Sequence, residues 1–146
     1  NDDLFYYGHR DMYGKRVPGI MLPNGFWVLY PNLRVDRNEE TGFEEFTYRA
    51  MDKGGWRTMY VYGGKVTENI IQSLAFAVLQ EQAQEIRDRG VPIVLNIHDE
   101  WASIVSDENV ETAVKIFEEA MSRVPAFVAG CPLDCEVSYG KHYGEV

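Results

Sequence analysis

The apolar residues of this chain fall into three rhythms. In the first third they come in short β-type runs. Ile20-Met21-Leu22 and Phe26-Trp27-Val28-Leu29-Tyr30 flank Pro23-Asn24-Gly25. Asn-Gly between two such runs predicts a hairpin. Residues Phe43 to Ala50 read as a strand with Phe46 and Tyr48 on one face, Asp52-Lys53-Gly54-Gly55 as a turn, and Trp56 to Tyr62 as another strand. The polar stretch from Pro31 to Gly42 reads as a loop, and the first eighteen residues lack a clean period. A small antiparallel sheet is therefore expected in this region.

Gly63-Gly64 interrupts the β rhythm, and a helical one follows from about Lys65 to Arg89. Ile70, Leu74 and Val78 recur at i+4, with Ile71, Leu79, Ala83 and Ile86 beside them. Gly90 suits the position just past the helix, and Pro92 follows. Val91 to Ile97 and Trp101 to Val105 then read as a buried hairpin around His98-Asp99-Glu100. Ser106-Asp107-Glu108 offers a capping hydroxyl and first-turn acids for a second helix. Its apolar face would be Val110, Ala113, Val114, Phe117, Met121 and Val124, with Pro125 at or just past its end. Leu133 to Tyr139 is the candidate for a last strand. The expected order is ββββ-α-ββ-α-β, an α+β fold with antiparallel pairing.

Composition narrows the function. With 14 basic and 23 acidic residues the net charge is −9. A free-standing nucleic-acid binder normally carries the opposite balance. The 45% apolar content suffices for a core in a chain of 146 residues, read as one domain or a substantial piece of one. No apolar run is long enough to span a membrane, so no membrane partner is expected. Cys131 and Cys135, four apart with no second pair nearby, make a poor zinc site. Unpaired thiols of a cytoplasmic protein are the simple reading, and a short-range disulfide is the alternative. His9 and His142 are isolated, Ser103 lacks the partners of a nucleophilic triad, and Gly63-Gly64-Lys65 lacks the spacing of a phosphate-binding glycine loop.

The candidate chemistry centres on His98-Asp99-Glu100. Charges cost free energy when desolvated without partners. Two carboxylates at a hairpin tip therefore have two readings. One is an ordinary solvated turn. The other is a hard-cation site, since Mg²⁺ takes one or two carboxylates together with water and phosphate oxygens. The helix start adds Lys65, Glu68, Asn69 and Gln72. Asn and Gln amides could read minor-groove acceptors, or simply form the polar face of the helix. Lys65 could touch a phosphate or sit in solvent.

Four stretches together resemble the C-terminal palm segment of family A DNA polymerases, the DNA polymerase I group, in its bacteriophage subgroup. They are Leu22-Pro23-Asn24-Gly25 with Leu29-Tyr30-Pro31; Trp56 with Tyr62-Gly63-Gly64-Lys65-Val66-Thr67-Glu68-Asn69-Ile70-Ile71-Gln72; Val91-Pro92-Ile93-Val94 through His98-Asp99-Glu100; and Pro125-Ala126-Phe127 with Tyr139-Gly140-Lys141-His142-Tyr143. His98-Asp99-Glu100 would be that family's motif C. The resemblance implies DNA-templated DNA synthesis on an antiparallel palm-type sheet with a long helix and a second packed helix. Asp99 would be a catalytic, metal-binding carboxylate of a two-Mg²⁺ site, with Glu100 its acidic neighbour. His98 would lie near the primer terminus, Gln72 and Asn69 at the duplex, and Lys65 nearer its backbone. Primer-template DNA and deoxynucleoside triphosphates would be the partners, in the cytoplasm of a bacterial host.

The family's first metal-binding aspartate, in motif A, and its fingers helix have no match in this chain. The resemblance therefore implies that residues 1–146 are the C-terminal part of the palm and need an N-terminal polymerase portion or subunit. The basic fingers and thumb would then lie elsewhere, which makes the acidic balance tolerable. Phe76-Ala77 stands where an Arg-Asp pair is frequent, and Glu68 where many bacterial members carry Asn. A non-catalytic accessory protein retaining a palm fold is the competing reading. A metal-dependent nuclease ranks below both, because it needs more carboxylates than the tip supplies.

Overall fold

The computed structural model describes residues 5–145. It contains eight strands and two α-helices among those residues. The chain divides into two units, Asn1–Leu74 and Ala75–Val146. The long helix α1, Gly63–Asp88, begins in the first and ends in the second.

The first unit holds two three-stranded antiparallel sheets rather than the single sheet expected. Strands β1 (Tyr6–Met12), β2 (Lys15–Met21) and β3 (Trp27–Leu29) form one. Strands β4 (Arg34–Arg37), β5 (Glu44–Asp52) and β6 (Gly55–Val61) form the other. The predicted Pro23-Asn24-Gly25 hairpin is present, with Met21 opposite Trp27. Leu22 and Phe26 close the loop backbone-to-backbone, and the Asn24 side chain accepts the Phe26 N–H at 3.1 Å. The aperiodic N-terminal stretch forms a hairpin as well. Its turn is Tyr13-Gly14, and both residues have positive φ. The supposed loop from Pro31 to Gly42 contains β4, which is short and mostly exposed and so shows no apolar alternation. Pairing with β5 makes it a strand.

Gly19 explains how β2 and β3 approach. A Cβ there would meet the Val28 carbonyl oxygen at 2.6 Å, a distance only backbone movement could relieve. The core of this unit gathers Ile20, Tyr30 and Val61, with Val28, Tyr48, Val66 and Ile70 packed against them. Tyr30 and Tyr48 meet edge to face with ring centres 5.2 Å apart. Tyr48 thus uses the face predicted for it, whereas Phe46 on the same face is exposed. On the opposite face, buried Thr47 donates its hydroxyl to Asp36 at 2.7 Å. That bond, with the Arg34 contact, holds the Asp36 carboxyl below its ordinary range.

In the second unit α1 packs on α2, Val110–Met121. Ile86, Val91, Ala113, Ile116 and Ala120 form the buried cluster, with Ile93, Val105, Phe117 and Met121 around it. The buried stripe of α2 is centred on Ala113, Ile116 and Ala120, so Val124 lies outside it and is exposed. Ion pairs flank the contact. Arg123 reaches Glu81 at 3.0 Å, and its Nε lies 2.9 Å from Glu85 Oε2 as an ion pair rather than an aligned hydrogen bond. Arg89 reaches Glu119 at 2.6 Å. Gln82 is only 4% exposed, and its Nε2 donates to the Met121 carbonyl at 2.6 Å. A buried amide thereby satisfies a carbonyl that the end of α2 leaves unpaired.

The predicted stop of α1 is present in detail. Gly90 has φ 88°, its N–H reaches the Arg87 carbonyl, and the Val91 N–H reaches Ile86. This is a Schellman end, closed by apolar contact between Val91 and Ile86 in one cluster. The start of α2 differs from expectation. Residues Asp107–Asn109 form a single 3-10 turn. The Ser106 hydroxyl accepts the Asn109 side-chain amide at 2.8 Å and caps no backbone N–H. The expected strand over residues 133–139 does not form. Leu133, Cys135 and Val137 are half-buried while Asp134, Glu136 and Ser138 are exposed, so the alternation is real but no strand pairs with it. Both cysteines are free thiols.

Replacing Gln82 by Leu keeps the volume but orphans the Met121 carbonyl. An unfolding titration in urea should show a loss of about 1–3 kcal/mol, and an unchanged midpoint would exclude the amide as the tie between the helices.

Candidate active site at the hairpin tip

Strands β7 (Ile93–Ile97) and β8 (Glu100–Ser103) form a two-stranded sheet with Ile97 opposite Glu100. The predicted hairpin exists, with His98-Asp99 as its two-residue loop. It is not buried. Val94, Leu95, Ile97 and Ile104 are 53%, 42%, 37% and 75% exposed. With only two strands, neither face has a covering layer within the unit except at the base. There Ile93 and Val105 pack against the helix cluster, and the Ser103 hydroxyl donates to the Pro92 carbonyl.

The turn itself is tightly held. His98 has φ 55°, a left-handed conformation that costs a non-glycine residue about 1–2 kcal/mol. The Asn96 side-chain amide donates to the Glu100 carbonyl at 3.1 Å and more weakly to that of His98 at 3.4 Å. One polar side chain thus braces both ends of the loop. Asp99 and Glu100 are exposed there, and neither has an ion-pair partner among the described residues.

Tyr143 adds a contact from 43 positions away. Its hydroxyl donates to Glu100 Oε1 at 3.0 Å. The carboxylate favours the protonated phenol and raises the Tyr143 pKa above its ordinary 10.0. The segment carrying it is fixed by Lys141 on Asp107 at 2.6 Å and by His142 on Glu145 at 3.1 Å. The sequence assigns no role to Asn96 or to Tyr143, although Tyr143 closes the last of the four stretches that carry the resemblance. Asn96 had a usable signal, a short amide two residues before a tight turn. For Tyr143 the sequence gives no signal of the contact itself, because that depends on tertiary placement.

Lys65, Asn69 and Gln72 belong to the first unit, on the opening turns of α1. Lys65 is paired with Glu68 at 2.9 Å, and that hydrogen bond raises its pKa. Asn69 donates to the Tyr30 hydroxyl at 3.3 Å, and so ties the helix to its own sheet. Burial pushes the Tyr30 phenol up, against the lowering effect of this bond. Gln72 is exposed.

Among the described residues no three His, Cys, Asp or Glu side chains gather as a metal-binding group. Asp99 and Glu100 fit the one or two carboxylates that Mg²⁺ takes from protein, and the remaining positions would fall to water and phosphate. The pair therefore suits part of a cation site, not a closed cage. No helix among the described residues is long and apolar enough to cross a membrane.

No family model matches the sequence. No solved structure matches it either. The chain is similar to a DNA polymerase of Bacillus phage SP02, 25% identical over 131 residues. The match takes in 89% of this chain but 20% of that polymerase, so the chain spans about a fifth of its relative's length. This similarity supports a relationship to DNA polymerases.

Proposed function

We propose that this chain is the C-terminal palm part of a family A DNA polymerase and acts in DNA-templated DNA synthesis. The observation that carries the reading is the tip of the β7–β8 hairpin. Two adjacent carboxylates stand in solvent on a strained, amide-braced turn, in a chain similar to a phage DNA polymerase. Strain maintained at a surface turn is a pointer to function.

In this reading Asp99 and Glu100 contribute carboxylates to a Mg²⁺ site that an aspartate from another segment completes. Bound there, Mg²⁺ would neutralise charge developing on phosphoryl oxygens. The chain's own residues position that pair. Asn96 fixes the loop, and Tyr143 restricts Glu100 to one orientation. His98 sits beside the acids, where a primer terminus and its phosphate would arrive. Gln72, exposed on α1, would offer its amide to a duplex. Asn69 and Lys65 have intramolecular partners and would serve a duplex only by sharing or exchanging them. Primer-template DNA, deoxynucleoside triphosphates and the remaining polymerase polypeptide are the partners proposed. The exposed apolar side chains of β7 support the last of these, because a two-stranded sheet is marginal without further strands or a packed layer.

The purified chain with Mg²⁺, primer-template and nucleotides should extend nothing; synthesis without a partner would sink the divided-site reading. Supplied with a polypeptide carrying the missing aspartate and fingers, the wild-type chain should support extension. Asp99→Ala should lower that extension by about a hundredfold or more. Full activity of the variant would favour the accessory-protein alternative. His98→Gly should leave stability unchanged or raise it by up to about 1 kcal/mol, while slowing extension. A marked drop in the thermal midpoint would show that the left-handed turn is no strain. Tyr143 ionisation, read as the difference spectrum against Tyr143→Phe, should have its midpoint above pH 10.0. The stabilising contribution of this bond is present below the free phenol's pKa and disappears as pH rises through the shifted one. In Glu100→Gln the midpoint should fall back; an unmoved midpoint would rule out Glu100 as the cause.

A further inference from the structure

Residues 140–145 fold back on themselves beside the β7–β8 hairpin, and Tyr143–Glu145 make a single 3-10 turn. Glu145 closes the segment. Its N–H donates to the His142 carbonyl at 3.0 Å, its Oε2 accepts the Lys141 N–H at 2.6 Å, and its Oε1 lies 3.1 Å from His142 Nε2. Gly140 makes room for this closure. A Cβ there would meet the Glu145 Cβ at 2.7 Å, and that atom is no flexible chain end that could swing aside. The result is a short hook shaped by one carboxylate.

Two polar contacts lead out of the hook. Tyr143 donates its hydroxyl to Glu100 Oε1 at 3.0 Å, and Lys141 Nζ reaches Asp107 Oδ2 at 2.6 Å. Asp107 opens the 3-10 turn that leads into α2, and α2 is seated in the core through Ala113, Ile116 and Ala120. The hook therefore bridges a fixed point of the unit and a hairpin tip that stands in solvent. Its bond to Glu100 takes one carboxylate oxygen and leaves Oε2 unengaged among the described residues. The two contacts differ in their response to salt. The side chains of Lys141 and Asp107 are 74% and 84% exposed, and an ion pair so exposed is weakened by screening. A hydrogen bond from an uncharged phenol is much less affected.

We infer that residues 140–145 position Glu100, with Tyr143 as the positioning residue, and that ionic strength sets how firmly they do so. With Lys141 on Asp107, the phenol stands at Glu100 and fixes its carboxylate with one oxygen left open. When salt loosens the ion pair, only the Tyr143–Glu100 bond ties the hook to the rest of the unit, and the tip loses order with it. The consequence for synthesis rests on the reading that Glu100 shares a Mg²⁺ site with Asp99: a ligand already oriented by a neighbouring hydrogen bond holds an ion more tightly. The hook itself is a property of the fold and is tested without activity.

The test is hydrogen–deuterium exchange of the full chain at sub-second labelling times, read by mass spectrometry on peptides covering the hairpin and the hook. Circular dichroism confirms that each variant is folded. Tyr143→Phe keeps the ring and removes the donor, and should speed exchange at the tip by about threefold to tenfold. Gly140→Ala should speed exchange in the hook and at the tip together. Raising salt from about 0.05 M to about 0.5 M should speed tip exchange in the wild type and add little in Lys141→Gln, where the screened pair is already gone. In synthesis with the partner polypeptide, Tyr143→Phe should raise the Mg²⁺ concentration for half-maximal extension more than it lowers the saturated rate. Unchanged tip exchange in Tyr143→Phe would overturn the inference. An equal salt response in the wild type and Lys141→Gln would overturn the ionic control. A saturated rate that falls at an unchanged Mg²⁺ requirement would overturn the positioning of Glu100 for the ion. Because exchange needs no catalysis, failure of the hook is distinguished from failure of the polymerase reading.

Discussion

The anchoring of the β7–β8 hairpin on the helix cluster is the constraint on which the candidate site depends. Two strands alone do not make a rigid platform in water. What fixes this one is its base. Val91 belongs to the buried cluster, and Ile93 and Val105 pack on it from the two ends of the hairpin. The cluster in turn exists because α1 and α2 meet through Ala113, Ile116 and Ala120, with Gln82 pinning the end of α2. The tip extends from this base into solvent. Its order is then completed locally, by Asn96 across the turn and by Tyr143 on Glu100. A carboxylate pair held this way is positioned without being desolvated, which avoids the cost of burying charge.

Much of this was legible in the sequence, and for physical reasons. Helix α1 and its end were readable because 3.6-residue periodicity, Gly90 and Pro92 act within a few residues of each other. The Asn24-Gly25 turn and the turn at His98-Asp99 were likewise encoded locally, although Glu100, expected in the tip, opens β8 instead. What failed required a partner to be known. Strand β4 carries no alternation of its own and becomes a strand only against β5. The segment from Leu133 carries the alternation and stays unpaired because no strand lies beside it. The hairpin's apolar runs predict burial because such runs usually are buried, yet burial depends on a second layer that these residues cannot reveal. Within the site, the acids were evident from composition at a turn, while Tyr143 was not, since its distance along the chain hides its contact.

The units also differ in how they handle charge. In the second, ion pairs neutralise much of what flanks the helix contact: Arg89 and Arg123 are both spent on glutamates. Near the tip, Lys141 is committed to Asp107. No cation remains beside Asp99 and Glu100 among the described residues. In the first unit, by contrast, Lys15, Arg16 and Arg49 form no ion pair among the described residues. A net charge of −9 therefore conceals two local imbalances of opposite sign. Surface ion pairs contribute little to stability, so the imbalances cost the fold little and leave charge available for ligands.

That imbalance bears directly on why, in the proposed function, the hairpin would supply part of a catalytic site rather than a whole one. Two neighbouring carboxylates repel each other, and a hydrogen bond from a phenol removes no charge. Neutralisation must come from outside the pair. A lysine would do it permanently and leave no affinity for a cation. A bound divalent ion would do it reversibly, but two carboxylates alone hold Mg²⁺ only when water and phosphate oxygens fill the remaining positions. Under the proposed function, a tip of this composition would gain full use only when a phosphate-bearing ligand and a further acid arrive together. Binding of the ion would then be coupled to binding of substrate, and in that reading the exposed apolar side chains of β7 would offer surface to the rest of the site.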